Sequence, residues 1–111
     1  MSLSVDDLIA QSGVWNIDSE CSDVDIRDFA DCCDPWRQVG LHLGLTNGQL
    51  NAIDEDNRTV SLKRLGVLQK WKEMFVFKAT YRVLIEALLK CGKADTALRV
   101  CNTLAQRQGE S

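Results

Sequence analysis

The most constraining feature of this sequence is a series of six segments in which apolar residues recur at intervals of three and four. That spacing places the apolar side chains on one face of an α-helix, and no competing alternation of period two indicates a strand. The predicted helices cover residues 23–33, 34–44, 46–56, 60–74, 79–91 and 94–106. The connections are short and no fixed-length repeat occurs, so the sequence predicts an all-α, six-helix antiparallel bundle and not a solenoid.

The ends of the predicted helices carry recognisable signals. Pro35 stands where the second helix is predicted to begin, and a proline is tolerated at the first helical position because the missing amide would have no partner there. Gly44 can take the left-handed conformation that ends this helix. Thr46 and Gln49 have the spacing of a capping box at the start of the third helix.

The predicted core consists of the apolar stripes of these helices. In the fourth segment the apolar stripe follows strict three-residue steps from Leu62 to Trp71. Gly66 lies inside this predicted helix. A glycine there costs about 1 kcal/mol relative to alanine, which indicates either a close helix crossing or a tolerated weakness. The predicted core residues are Ile26, Phe29, Ala30, Cys33, Trp36, Val39, Leu43, Leu62, Leu65, Leu68, Trp71, Tyr81, Leu84, Ile85, Leu88, Ala94, Ala97, Leu98, Cys101, Leu104 and Ala105.

The 111 residues fit one domain with a short N-terminal extension. Residues 1–20 form the extension, in which Ser4 could cap one short helix that ends at Gly13. Residues 21–107 form the bundle, and residues 108–111 form a polar, frayed tail. No apolar run approaches the ~18 residues of a membrane span, and no signal peptide is apparent, so we expect a cytoplasmic protein with no membrane insertion.

The five cysteines are an odd number without C-x-x-C spacing, and the only histidine is His42. We therefore expect no metal site, no disulfide framework and no cofactor. Cys33, Cys91 and Cys101 fall on apolar helix faces, where a reduced cysteine behaves as a small hydrophobic residue.

The charged residues are unevenly distributed along the chain. Residues 1–57 contain 12 Asp or Glu and 2 Lys or Arg, whereas residues 58–111 contain 4 and 11. The net charge of −3 therefore conceals two oppositely charged halves. This segregation predicts complementary acidic and basic faces that orient an encounter with another molecule.

Several stretches within residues 21–107 form a specific combination: Trp36-x-x-Val39 with Leu43-Gly44-Leu45-Thr46, the helix from Leu50 to Asn57, Leu68-Gln69-Lys70-Trp71, and Ala79-Thr80-Tyr81-x-x-Leu84 with Leu88 and Leu89. In this combination the chain resembles the death domains of apoptotic and innate-immune signalling proteins. The resemblance implies a non-enzymatic adaptor that binds other death-domain proteins or copies of itself, without cofactor or small-molecule substrate.

The resemblance also implies a docking mode. In the family's commonest contact, the surface around the first and fourth bundle helices meets the second and third helices of the next molecule. The expected basic residues are Lys63, Arg64, Lys70 and Lys72, and the expected acidic ones are Asp54, Glu55 and Asp56. Asp25, Asp28 and Asp31 on the first bundle helix depart from a uniformly basic surface.

A second departure is the apolar run from Met74 to Phe77 between the fourth and fifth bundle helices, which exceeds what capping a core requires. We expect it to pack on Val14–Ile17 of the N-terminal extension. In the alternative, Phe75 and Phe77 contact a protein partner.

Two other function classes are less consistent with the residues. Val39 to Ile53 could form a DNA-binding helix-turn-helix. However, the would-be recognition helix carries Asp54, Glu55 and Asp56. It has no Lys or Arg between Asn47 and Asn57, so acidic side chains would face the DNA phosphates. DNA binding is kept as the alternative, without an expected nucleic-acid partner.

Catalysis has no recognisable motif in this sequence. Adjacent acids such as Asp6 and Asp7 point in diverging directions on a helix and lack the buried environment that tunes a general acid. His42 has no serine or cysteine context of a catalytic triad, and no glycine-rich phosphate loop occurs. We therefore expect no enzymatic activity.

Overall fold

The computed structural model describes residues 3–109 and contains seven α-helices in that range: α1 (Val5–Ser12), α2 (Asp23–Ala30), α3 (Trp36–Leu43), α4 (Asn47–Asp56), α5 (Val60–Phe75), α6 (Tyr81–Lys90) and α7 (Ala94–Gly109). A short 3-10 turn (Val76–Lys78) follows α5. Helices α2 to α7 correspond to the six predicted segments, so the all-α bundle is confirmed. The only strand-like pairing within residues 3–109 is an isolated bridge between Glu20 and Thr80.

Local sequence signals account for the ends of the helices. The Thr46 hydroxyl accepts a hydrogen bond from the Gln49 amide at 3.2 Å, and the Gln49 side chain accepts one from the Thr46 amide at 2.9 Å. The predicted capping box is therefore present at the start of α4. Gly44 ends α3 with a φ of 102°. Pro35 was predicted at the first helical position, but α3 begins at Trp36, so Pro35 occupies the N-cap position.

Helix α5 lies at the centre of the bundle, packed against α2, α3 and α4, and α6 packs against α3 and α7. Their facing stripes form a single core. Its largest fully buried side chains are those of Trp71, Leu8, Leu50, Leu68, Leu84, Ile85, Leu88, Val39, Val67, Val100, Cys21 and Cys33.

The predicted apolar stripe of α5 was partly wrong. Leu62 is 49% exposed and Leu65 is only partly buried, whereas Val67, Leu68 and Trp71 are buried. Three residues advance a helix by only about 300°, so a strict three-residue step drifts about 60° each time. Nine residues separate Leu62 from Trp71, which places them on opposite sides of α5.

Two glycines mark close helix crossings. A Cβ atom on Gly40 of α3 would lie 2.5 Å from Leu50 Cδ2, and one on Gly66 of α5 would lie 3.2 Å from Ile53 Cγ2. At Gly40 helix α3 lies close to α4, and at Gly66 helix α5 lies close to α4. The first of the two interpretations offered for Gly66, a close helix crossing, is therefore confirmed.

The N-terminal residues are packed on the bundle through α1, which lies against α6 and α7. Ser4 caps α1 with Asp7 in a capping box, and Gly13 ends it with a φ of 74°. Val5 and Leu8 are buried in the common core. The short helix proposed from the sequence therefore occurs and contributes to that core.

The segment between α1 and α2 runs beside the start of α6. The Arg82 amide donates to the Ile17 carbonyl and the Cys21 amide donates to the Ala79 carbonyl, both at 2.8 Å. Val14 and Ile17 are buried. These contacts hold the segment against the bundle through main-chain hydrogen bonds and apolar packing.

At the other end of the chain, α7 continues two residues past the predicted bundle limit of 107. The Gln108 side chain bridges the backbone of Trp15, accepting from its amide at 3.0 Å and donating to its carbonyl. The predicted frayed tail thus begins with two helical residues, and residues 110 and 111 lie outside the described residues.

The cysteines fill the core as predicted. Cys33 and Cys101 are buried and Cys91 is partly buried against the core. Burial raises the pKa of Cys33 to about 12 and that of Cys101 to about 11. Across the described part of the chain, no helix combines the length and apolar character that a membrane span needs.

Candidate protein-binding site

The end of α4 and the start of α5 meet in a charged cluster. Lys63 Nζ lies 2.6 Å from Asp54 Oδ1, and an Arg37 nitrogen lies 3.5 Å from Asp54 Oδ2. The hydrogen bond from Lys63 lowers the pKa of the Asp54 carboxyl below its usual value. Lys63 also lies over the Trp36 ring, 5.9 Å from its centroid. Lys63 and Asp54 therefore share one surface, and the prediction that they belong to opposite faces was wrong.

Two other predicted basic residues also contact acids of the same molecule. Arg64 binds Asp34 through two nitrogens, with Nε 2.8 Å from Oδ1. This hydrogen bonding raises the pKa of Arg64. Lys72 Nζ lies 3.1 Å from Asp23 Oδ1. Both contacts join α5 to segments of the acidic half.

The same pairing extends over the molecule. Because the antiparallel bundle packs the acidic helices against the basic ones, charges that are separate in the sequence become neighbours in space. The segregation thus produces ion pairs between the two halves of the same molecule. The pairs that join the two halves are Lys63–Asp54, Arg64–Asp34, Lys72–Asp23, Arg82–Asp18, Arg107–Asp25 and Arg107–Asp28.

Glu55 and Asp56 differ from the acids around them. Both are exposed at the last turn of α4. Neither makes an ion pair within 4.0 Å among residues 3–109, whereas the adjacent Asp54 has two cationic partners. The acidic character of this corner is therefore concentrated on two side chains.

Lys70 lies on the side of α5 that faces α4. Its ammonium group is 3.7 Å from Glu73 Oε1, one helical turn away, and both side chains remain substantially exposed. Lys70 and Asp56 line the same groove between the two helices, with a volume of about 410 Å³. The other residues that line this groove are Thr46, Gly48, Gln49, Ala52 and Ile53.

The apolar run after α5 is mostly exposed. Phe77 is 82% exposed, and Met74 and Val76 are also exposed. Phe75 packs against the bundle, where its ring lies beside Gly44 closely enough that a Cβ there would be 3.0 Å away. Met74 also contacts the bundle, since its Sδ accepts a hydrogen bond from Gln49 Nε2 at 2.7 Å.

The predicted packing of this run on Val14–Ile17 was wrong. Trp15 is 63% exposed, and the buried Val14 and Ile17 turn into the core beside α6. The 3-10 turn after α5 leaves Val76 and Phe77 exposed to solvent.

A buried polar network was missed by the sequence analysis. Asp25 is only 7% exposed, and it accepts hydrogen bonds from the Tyr81 hydroxyl and from Arg107. Arg107 also binds Asp28 at 2.6 Å. Asp25 therefore links α2, α6 and α7 and does not belong to an exposed acidic surface. The signal was its position four residues before the buried Phe29, which places both on one helix face.

The structure adds nothing in favour of the DNA-binding or catalytic alternatives. Exposed Glu55 and Asp56 leave negative charge on α4, the helix that would have to approach phosphates. Within residues 3–109, no three His, Cys, Asp or Glu side chains converge as metal ligands.

Comparison with known proteins identifies one family. A family model described as Death domain matches residues 23–104, from the start of α2 into α7. No curated protein and no solved structure matches the chain. The matched region contains the six bundle helices, and α1 lies outside it.

Proposed function

The chain belongs to the death-domain family, and from this we propose that it binds other death domains, including copies of itself, to assemble signalling complexes in apoptosis or innate immunity. Death domains are protein-interaction modules of signalling. We further propose that this one acts in the cytoplasm, where unpaired cysteines such as its five remain reduced.

The observation that carries the docking proposal is the unpaired acidic end of α4. Glu55 and Asp56 are exposed, while Asp54 beside them is neutralised by Lys63 and Arg37. An exposed charge without an internal partner can attract a base of another molecule and thereby set the orientation of the complex. We propose that this corner docks on a basic surface of a neighbouring death domain.

The predicted basic residues are assigned different roles in this proposal. Lys70 keeps an exposed ammonium group near α4 and is the candidate for direct contact. Lys63, Arg64 and Lys72 bind Asp54, Asp34 and Asp23 and would act by shaping the surface. Phe77 supplies exposed apolar area, and Phe75 supports its loop by packing near Gly44.

The proposal can be tested by light scattering on the chain, alone and mixed with other death domains, as NaCl is raised from about 0.05 to about 0.5 M. Screening over this range shortens the Debye length below ~5 Å, so the complex should weaken. Asp56→Lys should weaken it at low salt. Glu20→Lys changes the net charge equally at another exposed acid and should leave binding unchanged.

The outcome that contradicts the charge proposal is equally defined. If Asp56→Lys and Glu20→Lys bind alike, and salt leaves the complexes intact, then the acidic end of α4 does not dock. If no death domain associates with the chain in any of these conditions, the proposed function itself fails.

A further inference from the structure

We propose that Phe77 of one copy of the chain inserts into the groove between α4 and α5 of a second copy, so that the domain associates head to tail. This inference rests on the proposed function and specifies one contact of the complex. The knob is defined as Phe77 and Lys78, and the groove is the one lined by Ala52, Ile53 and Asp56.

The knob has the features of a binding anchor. Phe77 is 82% exposed, and the exposed side chains of Met74 and Val76 extend its apolar surface. Contiguous exposed apolar area on a small domain marks interaction sites. A single aromatic side chain that fills a partner's pocket can supply much of the binding energy of an interface.

The groove has a matching size and composition. Its volume of about 410 Å³ falls within the ~300–1,000 Å³ range of protein binding pockets. Ile53, 8% exposed, forms an apolar surface inside it, and Ala52 and Gly48 leave it open because their side chains are small. Ala52 and Gly48 therefore leave room for an aromatic ring beside Ile53, with Gln49 and Lys70 also lining the groove.

Asp56 in the groove carries a charge opposite to that of Lys78, and Lys70, a base that also lines the groove, lies 3.7 Å from Glu73 Oε1. Lys78 is adjacent to Phe77 in the knob. In the groove, Asp56 follows Ile53 by three residues, so the Cβ atoms of Ile53 and Asp56 lie about 5–6 Å apart on one helix face. A ring placed over Ile53 therefore brings the Lys78 ammonium within reach of Asp56. Within the described chain, neither Lys78 nor Asp56 makes an ion pair.

The occupant is a second copy because one chain carries both parts and does not join them itself. Phe77 is exposed and so does not occupy its own groove. A reciprocal pair, in which each knob fills the groove of the other copy, would stop at the dimer. In the head-to-tail contact one knob and one groove are used, so one knob and one groove stay free. Such a heterologous contact continues into a ring or an open filament.

Two uncharged surface variants separate the halves of this contact. Phe77→Ser removes the knob, and Ala52→Gln places a longer polar side chain in the groove at an exposed position of α4 that favours good helix formers. Sedimentation equilibrium of the wild-type chain should show a mass that grows with concentration beyond the dimer. Each variant alone should lose at least about tenfold in association constant.

Mixing the two variants provides the decisive observation. The Ala52→Gln chain retains a knob and the Phe77→Ser chain retains a groove, so the mixture should form a 1:1 heterodimer that grows no further. Val24→Ser on α2 removes another exposed apolar side chain, 67% exposed, and should associate like the wild type.

Three results would overturn the inference: a wild-type chain that stays monomeric at about 1 mM or stops at the dimer, a Phe77→Ser chain that associates normally, or a variant mixture that stays monomeric. These results leave the proposed function standing if other death domains still bind and Asp56→Lys weakens that binding. Phe77→Ser and Ala52→Gln leave the net charge unchanged. A failure of the contact between knob and groove can therefore be distinguished from a failure of the proposed function.

Discussion

Lys63 Nζ lies 2.6 Å from Asp54 Oδ1, which joins a base and an acid that the sequence assigns to complementary docking faces. Both side chains therefore affect the stability of the fold as well as its surface charge. A reversal of either charge cannot be interpreted as a binding effect until its effect on folding is known.

We expect Lys63→Glu to lower the urea midpoint of unfolding, because it places two carboxylates beside each other at the α4–α5 junction. The swap of both charges, Asp54→Lys with Lys63→Glu, should recover only part of that loss, because it restores an ion pair with residue 63 but places a second cation beside Arg37. Asp56→Lys should not lower the midpoint, since Asp56 has no ion-pair partner within residues 3–109 and a base at the last residue of α4 suits the helix dipole. A swap that is no more stable than the single variant would show that this pair contributes nothing to folding.

Tyr81→Phe should destabilise the protein by about 1–3 kcal/mol, because it removes a hydroxyl that donates to the buried Asp25 carboxylate. The ring itself is retained, so the change isolates the hydroxyl, which also accepts a hydrogen bond from the Ser22 amide at 3.4 Å. Urea denaturation followed by circular dichroism measures the effect, and the slope of the transition should stay the same. An unchanged midpoint would mean that Arg107 alone satisfies Asp25.

Whether the sequence predicted an interaction correctly depends on how far apart its two residues lie in the sequence. Helix starts such as the Thr46–Gln49 capping box depend on neighbours three residues apart, so the sequence predicted them correctly. The contacts of Asp25 with Tyr81 and Arg107 span 56 and 82 residues. No local pattern specifies such contacts, because they require knowledge of which helix faces meet.

The candidate site was predictable in composition and not in arrangement. The sequence singled out the run from Met74 to Phe77 as exceeding core needs, but Phe77 is exposed and not packed on Val14–Ile17 as expected. It could not show that Lys63 reaches Asp54, because α4 and α5 cross in a way that depends on the close contact at Gly66. The charge segregation was real, but its main structural consequence lies within one molecule.

Gly40→Ala should destabilise the bundle by about 1–3 kcal/mol through overpacking, because its Cβ would lie 2.5 Å from Leu50 Cδ2 in the closely packed core. Gly48→Ala in α4 is the matched control. The nearest atom to its Cβ would be 3.9 Å away, so helix propensity favours the alanine there by up to about 1 kcal/mol. Thermal unfolding of both variants should shift in opposite directions. Equal shifts would contradict the close crossing of α3 and α4.

Cysteine labelling should follow burial. Desolvation raises the pKa of Cys21 and Cys33 to about 12, so at pH 8 almost none of either thiol is the reactive thiolate. With iodoacetamide at pH 8, we expect the partly buried Cys32 and Cys91 to be alkylated first, as measured by peptide mass mapping. All five cysteines should react in denaturant, and rapid labelling of Cys33 in the folded protein would contradict the packing around it.

We propose that the folding unit begins with α1, although the family match begins at residue 23. Leu8 is fully buried against the bundle, so Leu8→Ala should reduce the free energy of unfolding by about 2–5 kcal/mol in a single cooperative transition. Leu3 precedes α1 and is exposed, so Leu3→Ala should change stability by less than about 0.5 kcal/mol. If Leu8→Ala were as stable as Leu3→Ala, α1 would be an appended helix that the bundle does not need. A loss confined to Leu8→Ala would instead show that the six-helix bundle of this chain is completed by a seventh helix.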